Sequence, residues 1–182
     1  MSEKITLVNI DDAVIGYCDK MQAHKEAKLH RAFSIFIYGY KNNDLCILLQ
    51  KRAVDKYHSG GLWTNACCSH PNIDETLEQA VQRRLKEELN ICMCPKEIFS
   101  FLYFCRYTKE CTEYEWDHVF CGKWTEDVKP NPEEIDEIRW MPISELKEKL
   151  EKKPDKFTVW FITAISQVLD YIIKEEKYKD DN

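Results

Sequence analysis

The chain has 182 residues, a length typical of one domain that can bury a sizeable core. Charged residues make up 32% and hydrophobic residues 44% of it, which is usual for a soluble globular protein. No apolar run reaches the length of a membrane span, and the N-terminal segment lacks the apolar core of an export signal. The net charge of −6 and the lack of a basic tract argue against non-specific nucleic-acid binding. We therefore predict a cytoplasmic protein with one domain over residues 1–182 and no nucleic-acid or membrane partner.

The nine cysteines are numerous, but their number is odd and they contain no tandem pair of CxxC motifs. In a chain without an export signal, this pattern predicts reduced thiols rather than disulfides. Cys92 and Cys94 form a CxC motif, which we interpret as core or surface thiols. A zinc site there is the weaker alternative, since no second pair lies at ligand spacing.

Hydrophobic periodicity predicts the secondary structure along the chain. A short strand follows a turn at 11–16, and the polar segment after it is a loop or a short helix that crosses a site. Longer strands are predicted at 4–10, 33–40, 45–52, 98–107 and 113–124, and a short strand at 138–141. Helices at 142–153 and 156–174 follow, with a solvated tail after about 174. Together with a central helix, these elements predict α/β/α layers around one mixed sheet.

The central helix is predicted from about Asp74 to Leu89. Pro71 precedes it, and its fixed φ and missing N–H suit a helix entry. Either Asn72 or Asp74 is placed to cap the helix, and Glu75 is placed to form a capping box with Asn72.

The apolar face of this helix contains two charged residues. Its apolar members are Leu77, Ala80, Val81, Leu85 and Leu89. Arg84 and Glu88 fall in the middle of that face, with Arg83 and Glu87 at its flank. An inward charge is costly unless it is paired or bound to a metal. Two interpretations are therefore open: a buried Arg84–Glu88 ion pair, or Glu88 facing a metal while a neighbouring arginine faces an anion.

The segment from Gly60 to Ile91 resembles a Nudix box, GX5EX7REUXEEXGU, in which U is a bulky apolar residue. The matching residues are Glu75, Arg83, Leu85, Glu87, Glu88 and Ile91. Three residues depart from the pattern, because Ser69, Arg84 and Asn90 replace a glycine, a glutamate and a glycine. In Nudix hydrolases that glutamate holds a metal against a diphosphate, so the resemblance implies the fold with a different chemistry.

A second motif, WTN-x-x-C-x-HP, runs from Trp63 to Pro71. With it the chain resembles the metal-dependent isopentenyl diphosphate isomerases, a branch with the Nudix fold. The motifs H-x5-H, R-x3-K, WTNxxCxHP, the modified box and E-x-E occur in order, and the resemblance covers about residues 4 to 165. It implies a Nudix-type α/β/α sandwich with a mixed central β-sheet. It also implies an isomerase of isoprenoid biosynthesis, acting as a monomer or homodimer on a small homoallylic or allylic diphosphate.

Three acidic residues share one face of the strand EYEWDHVF, namely Glu113, Glu115 and Asp117. Taken alone, this alternation indicates a sheet edge that faces water, and a loop histidine alone is usually solvated. The resemblance instead implies one divalent metal, Mn²⁺, Mg²⁺ or Zn²⁺, and such an N/O ligand set suits these ions. The implied ligands are His24, His30, His70, Glu113 and Glu115. A second ion, Mg²⁺, is implied to arrive with the diphosphate, held by Glu88 and the carbonyl of Cys68.

Positive side chains gather in the first half of the chain, a distribution that fits a small anionic ligand. Arginine offers a two-pronged fork to phosphate, and lysine offers a mobile point charge. The residues that the resemblance implies in diphosphate binding are Lys20, Arg52 and Lys56, with Ser69 and Arg83 as helpers.

The resemblance also implies the residues that move the double bond. Cys68 and Glu115 are the pair that add and remove a proton, with Tyr103 bonded near them. Trp160 shields the carbocation by a cation–π contact, although on its own it is typical of a core residue. The family spacing selects Cys68 over its neighbour Cys67, which alternation directs elsewhere.

Two other functions remain open. A Nudix hydrolase of a diphosphate predicts the complete glutamate set, which Arg84 breaks, and it gives no role to the CxHP thiol. A non-catalytic metal- or diphosphate-binding module predicts that Cys68, Glu115 and Tyr103 do not matter for function.

Overall fold

The computed structural model describes residues 4–56 and 58–180. The described strands are β1 (Lys4–Val8), β2 (Val14–Asp19), β3 (His30–Lys41), β4 (Asp44–Arg52), β5 (Trp63–Thr64), β6 (Cys67–Ser69), β7 (Lys96–Thr108), β8 (Cys111–Lys123) and β9 (Ile135–Pro142). The described helices are α1 (Lys20–Lys25), α2 (Leu77–Leu89), α3 (Ile143–Lys152) and α4 (Val159–Asp180), with a 3₁₀ turn at Pro154–Lys156. No helix in these described ranges is long and apolar enough to cross a membrane.

The strands form one mixed sheet around β3. Strands β1, β6 and β4 pair antiparallel with successive parts of β3. Strand β8 runs parallel to β3 and carries β7 as an antiparallel neighbour, while β9 pairs with β4. The predicted mixed central sheet with helices is confirmed.

Alternation along β3 divides the core between the two faces of the sheet. Phe33, Ile35 and Ile37 pack with the apolar face of α2. Phe36 and Tyr38 point to the other face, where they pack with α3 and α4. Because both faces are covered by helices, β3 is a nearly continuous hydrophobic strand.

Helix α2 begins later than the sequence pattern predicted. Thr76 is its N-cap and forms a capping box with Gln79, so the predicted caps at Asn72 and Asp74 are wrong. Asp74 cannot be helical because its φ of 64° is left-handed. Glu75 nevertheless accepts a hydrogen bond from the Asn72 backbone N–H at 2.8 Å, which orders the approach to the helix.

Asn90 ends α2 in the left-handed conformation, with φ of 54°. Glycine is the usual residue there, and asparagine is the side chain that tolerates this conformation best. The departure from the Nudix pattern at Asn90 therefore preserves the local backbone.

Helix α4 continues to Asp180, beyond the predicted start of a solvated tail after about 174. Glu176 is buried, and its Oε2 accepts a hydrogen bond from Lys123 Nζ at 2.7 Å. The helix extension therefore packs back onto the end of β8. Residues 181–182 of the predicted tail lie outside the described residues.

Candidate active site and metal centre

Three neighbouring strands align residues of the candidate site. In the parallel pair, His30 of β3 lies opposite Glu115 of β8. In the next pair, Glu115 lies opposite Tyr103 of β7. Helix α1 supplies His24, and His70 directly follows β6. The register of the sheet therefore places side chains that are far apart in sequence around one point.

The predicted metal ligands converge at that point. Ligand atoms of five buried residues lie within 4.8 Å of one another: His24, His30, His70, Glu113 and Glu115. The alternative in which the acidic face of β8 faces water is wrong, because β8 lies between β3 and β7.

Hydrogen bonds orient the imidazoles toward the carboxylates. His24 Nδ1 lies 2.7 Å from the Lys20 carbonyl, and His30 Nδ1 lies 2.8 Å from the Lys28 carbonyl. A backbone carbonyl on one ring nitrogen directs the other nitrogen to a metal. Their Nε2 atoms lie 3.3 Å from Glu113 Oε1 and 3.4 Å from Glu115 Oε1, respectively.

The protonation of the cluster follows from burial and from these pairs. Burial lowers the pKa of His70 to about 4, which favours the neutral imidazole that a metal requires. Burial also opposes ionisation of Glu115, but hydrogen bonds from His30 and His70 hold its pKa well below the usual range. Burial would lower the pKa of His24, yet its bond to Glu113 raises it. The neutral His70 and the ionised Glu115 suit a divalent metal as they stand, whereas His24 would have to give up a proton to bind one.

Glu115 is also bonded to the tyrosine opposite it in the sheet. Tyr103 donates from Oη to Glu115 Oε2 at 2.6 Å, and His70 Nε2 lies 3.0 Å from Oε1 of the same carboxylate. Burial raises the pKa of Tyr103 well above its usual range, so this hydroxyl keeps its proton. Glu115 thus belongs both to the metal cluster and to a hydrogen-bonded pair that can carry a proton.

A cavity of about 290 Å³ opens beside the cluster. The residues of its lining that the sequence had singled out are Lys20, Arg52, Lys56, Cys68, Ser69, His70, Arg84, Glu88, Tyr103, Glu113, Glu115 and Trp160. His24 and His30 complete the metal cluster from fully buried positions. The cavity thus combines cationic, nucleophilic, acidic and aromatic groups.

The two adjacent cysteines point to opposite faces of the sheet. Cys68 lines the cavity, whereas Cys67 packs with the α2 core and its Sγ lies 3.2 Å from Glu88 Oε1. Burial raises the pKa of Cys68 to about 12, although the positive charge of Arg52 opposes the shift. The Cys68 thiol therefore holds its proton at neutral pH and faces the cavity.

Arg52 connects the thiol with the aromatic wall. Its Nη1 donates to Cys68 Sγ at 3.8 Å, and its guanidinium lies 5.2 Å from the centroid of the Trp160 ring. Trp160 is itself anchored, because its Nε1 donates to Asn65 Oδ1 at 3.1 Å. Trp160 is thus both a core residue and a wall of the cavity.

The structure separates the adjacent arginines of α2. Arg83 bonds Glu75 with two nitrogens, at 2.7 and 2.8 Å, and it does not belong to the cavity lining described above. Arg84 lines the cavity and forms the buried ion pair with Glu88 that the helix pattern had left open. Its further carboxylate partners are Glu87, at 2.9 Å, and Glu134, at 3.5 Å.

Three further residues lie at or near the cavity, although the sequence motifs gave them no role in the site. Glu134 accepts a hydrogen bond from Lys56 Nζ at 2.5 Å, and His58 lines the wall between Lys56 and Trp160. Asp117 is buried beside the cluster and accepts from Ser34 Oγ at 2.8 Å. The alternation of β8 placed Asp117 on the same face as Glu113 and Glu115. No sequence pattern indicated Glu134, because its contacts with Lys56 and Arg84 depend on how the loop before β9 folds back.

Comparisons with known proteins agree with this geometry. The NUDIX domain family model matches residues 28–161. The chain is 43% identical over 178 residues to the isopentenyl-diphosphate Delta-isomerase of Photobacterium profundum, covering 96% of this chain and 97% of that protein. It is 42% identical over 167 residues to the enzyme of the same name from Burkholderia multivorans, covering 92% and 93%. A crystal structure of a Deinococcus radiodurans protein shares the fold, with a TM-score of 0.66, 18% identity and coverage of 83% and 90%.

Proposed function

Since the chain belongs to the Nudix-domain family and, within it, to the isopentenyl-diphosphate Delta-isomerases, we propose that it interconverts isopentenyl diphosphate and dimethylallyl diphosphate. The observation that supports this most is the composition of one cavity. A thiol, a carboxylate–tyrosine pair and an indole line it together with several cations. These are the groups that an allylic proton shift on an anionic C5 substrate requires.

The cationic side of the cavity is proposed to bind the diphosphate. Lys20, Arg52, Lys56 and Arg84 line it, and Ser69 adds a hydroxyl. Charge-assisted hydrogen bonds to phosphate are about twice as strong as neutral ones. In this proposal Arg84 takes the helper role that the sequence had given to Arg83.

The proton transfers are proposed to use Cys68 and Glu115. One group adds a proton to the terminal carbon of the double bond, and the other removes a proton two carbons away, so the net proton count is unchanged. Tyr103 holds the Glu115 carboxylate by its short hydrogen bond. Trp160 offers an electron-rich face, and a desolvated cation–π contact is worth about 2 kcal/mol.

One divalent metal is proposed to be held by His24, His30, His70, Glu113 and Glu115, and Mn²⁺, Mg²⁺ and Zn²⁺ are its candidates. When bound, it supplies positive charge that fixes the carboxylates and favours their ionised form. A second ion, Mg²⁺, is proposed to accompany the diphosphate through Glu88 and the Cys68 carbonyl. The free state of all nine thiols is consistent with a reducing cytoplasm.

The hydrolase alternative is weaker because of Arg84. This residue stands where the hydrolase pattern has a metal-binding glutamate, and its guanidinium neutralises Glu88 in the structure. The positive charge of Arg84 weakens metal binding by α2 itself, so the proposed second Mg²⁺ depends on the diphosphate that arrives with it.

Proton NMR of the protein with isopentenyl diphosphate and Mg²⁺ in D₂O tests the proposed function. We expect dimethylallyl diphosphate that carries deuterium to accumulate, and we expect no turnover in Cys68→Ala or Glu115→Gln. Cys92→Ala is the control, because this exposed thiol does not belong to the cavity lining, and it should retain turnover. Release of phosphate without an allylic product would favour the hydrolase instead.

A further inference from the structure

His58 has no role in the sequence motifs, yet it lies in the wall of the cavity. It belongs to the loop between β4 and β5, two residues after Lys56. Its side chain is only 4% exposed, and its imidazole faces Glu113. A buried histidine needs a specific polar partner, since burying an unbonded ring nitrogen is costly.

The contact with Glu113 is short and directional. His58 Nε2 lies 2.6 Å from Glu113 Oε1, the oxygen that also lies 3.3 Å from His24 Nε2. An ionised carboxylate has no hydrogen to donate, so His58 Nε2 must be the donor. His58 Nδ1 lies 3.2 Å from Ser59 Oγ, and a hydroxyl there can donate to it. These two contacts favour the tautomer with hydrogen on Nε2.

Aromatic neighbours fix the plane of the His58 ring. The Tyr107 ring stacks on it with centroids 4.6 Å apart and an angle of 18°. The Trp160 ring meets it edge-on, at 5.9 Å and 84°. With its plane set from two directions, His58 can direct its N–H at one oxygen of Glu113.

We propose that His58 is a positioning residue that orients Glu113 for the metal without being a ligand itself. This inference rests on the metal centre of the proposed function. Among the described residues, the cluster whose ligand atoms lie within 4.8 Å of one another contains three histidines, and His58 is not one of them. Metal-binding carboxylates are themselves hydrogen-bonded, and loss of such a bond typically weakens metal binding.

Two substitutions separate the hydrogen bond from the packing. His58→Phe keeps a ring against Tyr107 but removes the donor. His58→Gln removes the ring but keeps an N–H at a similar distance from the backbone. We expect His58→Phe to raise the Kd for Mn²⁺ by about 10- to 100-fold and His58→Gln to raise it by roughly threefold or less.

The substrate site offers a second readout. Arg52 Nη2 donates to the His58 backbone carbonyl at 3.4 Å, a contact that both substitutions keep. At saturating Mn²⁺, the KM for isopentenyl diphosphate should therefore change by roughly threefold or less. General damage to the loop would instead raise this KM together with the Kd for Mn²⁺.

Isothermal titration of the metal-free full chain with Mn²⁺ measures the first effect, and melting in EDTA checks that each variant is folded. His118→Gln is the control, since His118 bonds Glu97 and Asp12. An unchanged Kd in folded His58→Phe would overturn the positioning role. Failure of the wild type to bind Mn²⁺ would instead overturn the metal centre, and the positioning role with it.

A measurement on the wild type avoids the risk that His58→Phe does not fold. Histidine-ring ¹H–¹⁵N spectra report which nitrogen carries hydrogen. His58 should keep hydrogen on Nε2 before and after loading with diamagnetic Zn²⁺. Loss of that hydrogen on loading would make His58 a ligand and contradict the proposal.

Discussion

The adjacent arginines Arg83 and Arg84 provide a matched test of diphosphate binding. Arg84 lines the cavity, whereas Arg83 bonds Glu75 outside that lining. We expect Arg84→Gln to raise the KM for isopentenyl diphosphate by about 10- to 100-fold, since a bond to a charged group is worth about 1.5–3 kcal/mol. Arg83→Gln should change this KM by roughly threefold or less. Steady-state kinetics at saturating metal gives both values.

The Arg84 prediction needs a stability control, because the substitution leaves Glu88 buried without its cation. Loss of one partner of a buried ion pair is strongly destabilising. Kinetics are therefore measured well below the melting temperature of the variant. An equal rise in KM for both variants would contradict the proposal that Arg84, and not Arg83, binds the diphosphate.

Tyr103→Phe tests whether the hydrogen bond between Tyr103 and Glu115 is needed for proton transfer. The substitution removes the hydroxyl that donates to Glu115 at 2.6 Å and keeps the ring. We expect kcat to fall by about 10- to 100-fold with little change in KM, because the bond is needed for proton transfer and not for diphosphate binding. Tyr114→Phe is the control, since this ring packs on Phe104. Equal kcat values for the two variants would exclude Tyr103 from the reaction.

Some residues of the candidate site could be predicted from the sequence, and others could not. The convergence of the five candidate metal ligands and the place of Cys68 in the cavity could be predicted, because short motifs carry these residues and the family resemblance supplies their assembly. The family pattern indicated Arg83 as the helper in diphosphate binding, whereas the cavity is lined by Arg84, the arginine in the middle of the apolar face. His58 could not be found, because its contact with Glu113 depends on the path of a loop and joins residues 55 positions apart.

At the scale of elements, the segment before α2 is held to the helix by Glu75 and Arg83. The hydrogen bond from Arg83 lowers the pKa of Glu75 below its ordinary value of 4.5. A depressed carboxyl pKa gives stability that is complete above the unfolded value and lost as the pH falls through the folded value. The pair therefore stabilises the fold at neutral pH and ceases to do so in acid.

We predict that Glu75→Gln is less stable than the wild type by about 1 kcal/mol at pH 7, an effect of about 2–4 °C in the melting temperature. The difference should shrink below pH 4.5 and vanish in stronger acid. Thermal melts between pH 7 and pH 2 measure it, with Glu126→Gln at an exposed loop position as the control. A stability difference between the wild type and Glu75→Gln that grows as the pH falls would show that the Glu75–Arg83 pair does not stabilise the fold through the ionised carboxylate.

The elements themselves were predicted with uneven success. The long strands were located from their β-branched and aromatic runs, and the layering followed from their alternation with helices. The sequence pattern predicted too early a start for α2, because Asn72 and Asp74 are residue types that often cap helices. The left-handed φ of Asp74 prevents a helix from running through this position, so the helix begins after it. The end of α4 was placed too early as well, since a charged sequence conceals the contact of Glu176 with Lys123.

At the scale of the whole molecule, the proposed metal centre would tie distant parts of the chain together. Its candidate ligands come from α1, β3, β8 and the segment after β6, so one ion would link elements on both sides of the central strand. A ligand that binds only the folded state stabilises it by RT ln(1 + [L]/Kd), about 2.7 kcal/mol at 100 times the Kd. Metal binding should therefore appear in the stability of the entire fold.

We predict that removal of metal by EDTA lowers the melting temperature by about 5–10 °C and abolishes turnover, and that added Mn²⁺ restores both. The physical reason is that buried Glu113 and Glu115 lose the cation that compensates their burial. Glu113→Gln is the matched variant: its melting temperature should respond to Mn²⁺ much less than that of the wild type, because one charged ligand is missing. Calorimetric melts across a Mn²⁺ series give the dependence. A wild-type melting temperature that does not change with Mn²⁺ would rule out a metal at this cluster, while unchanged turnover in EDTA would separate the reaction from the metal.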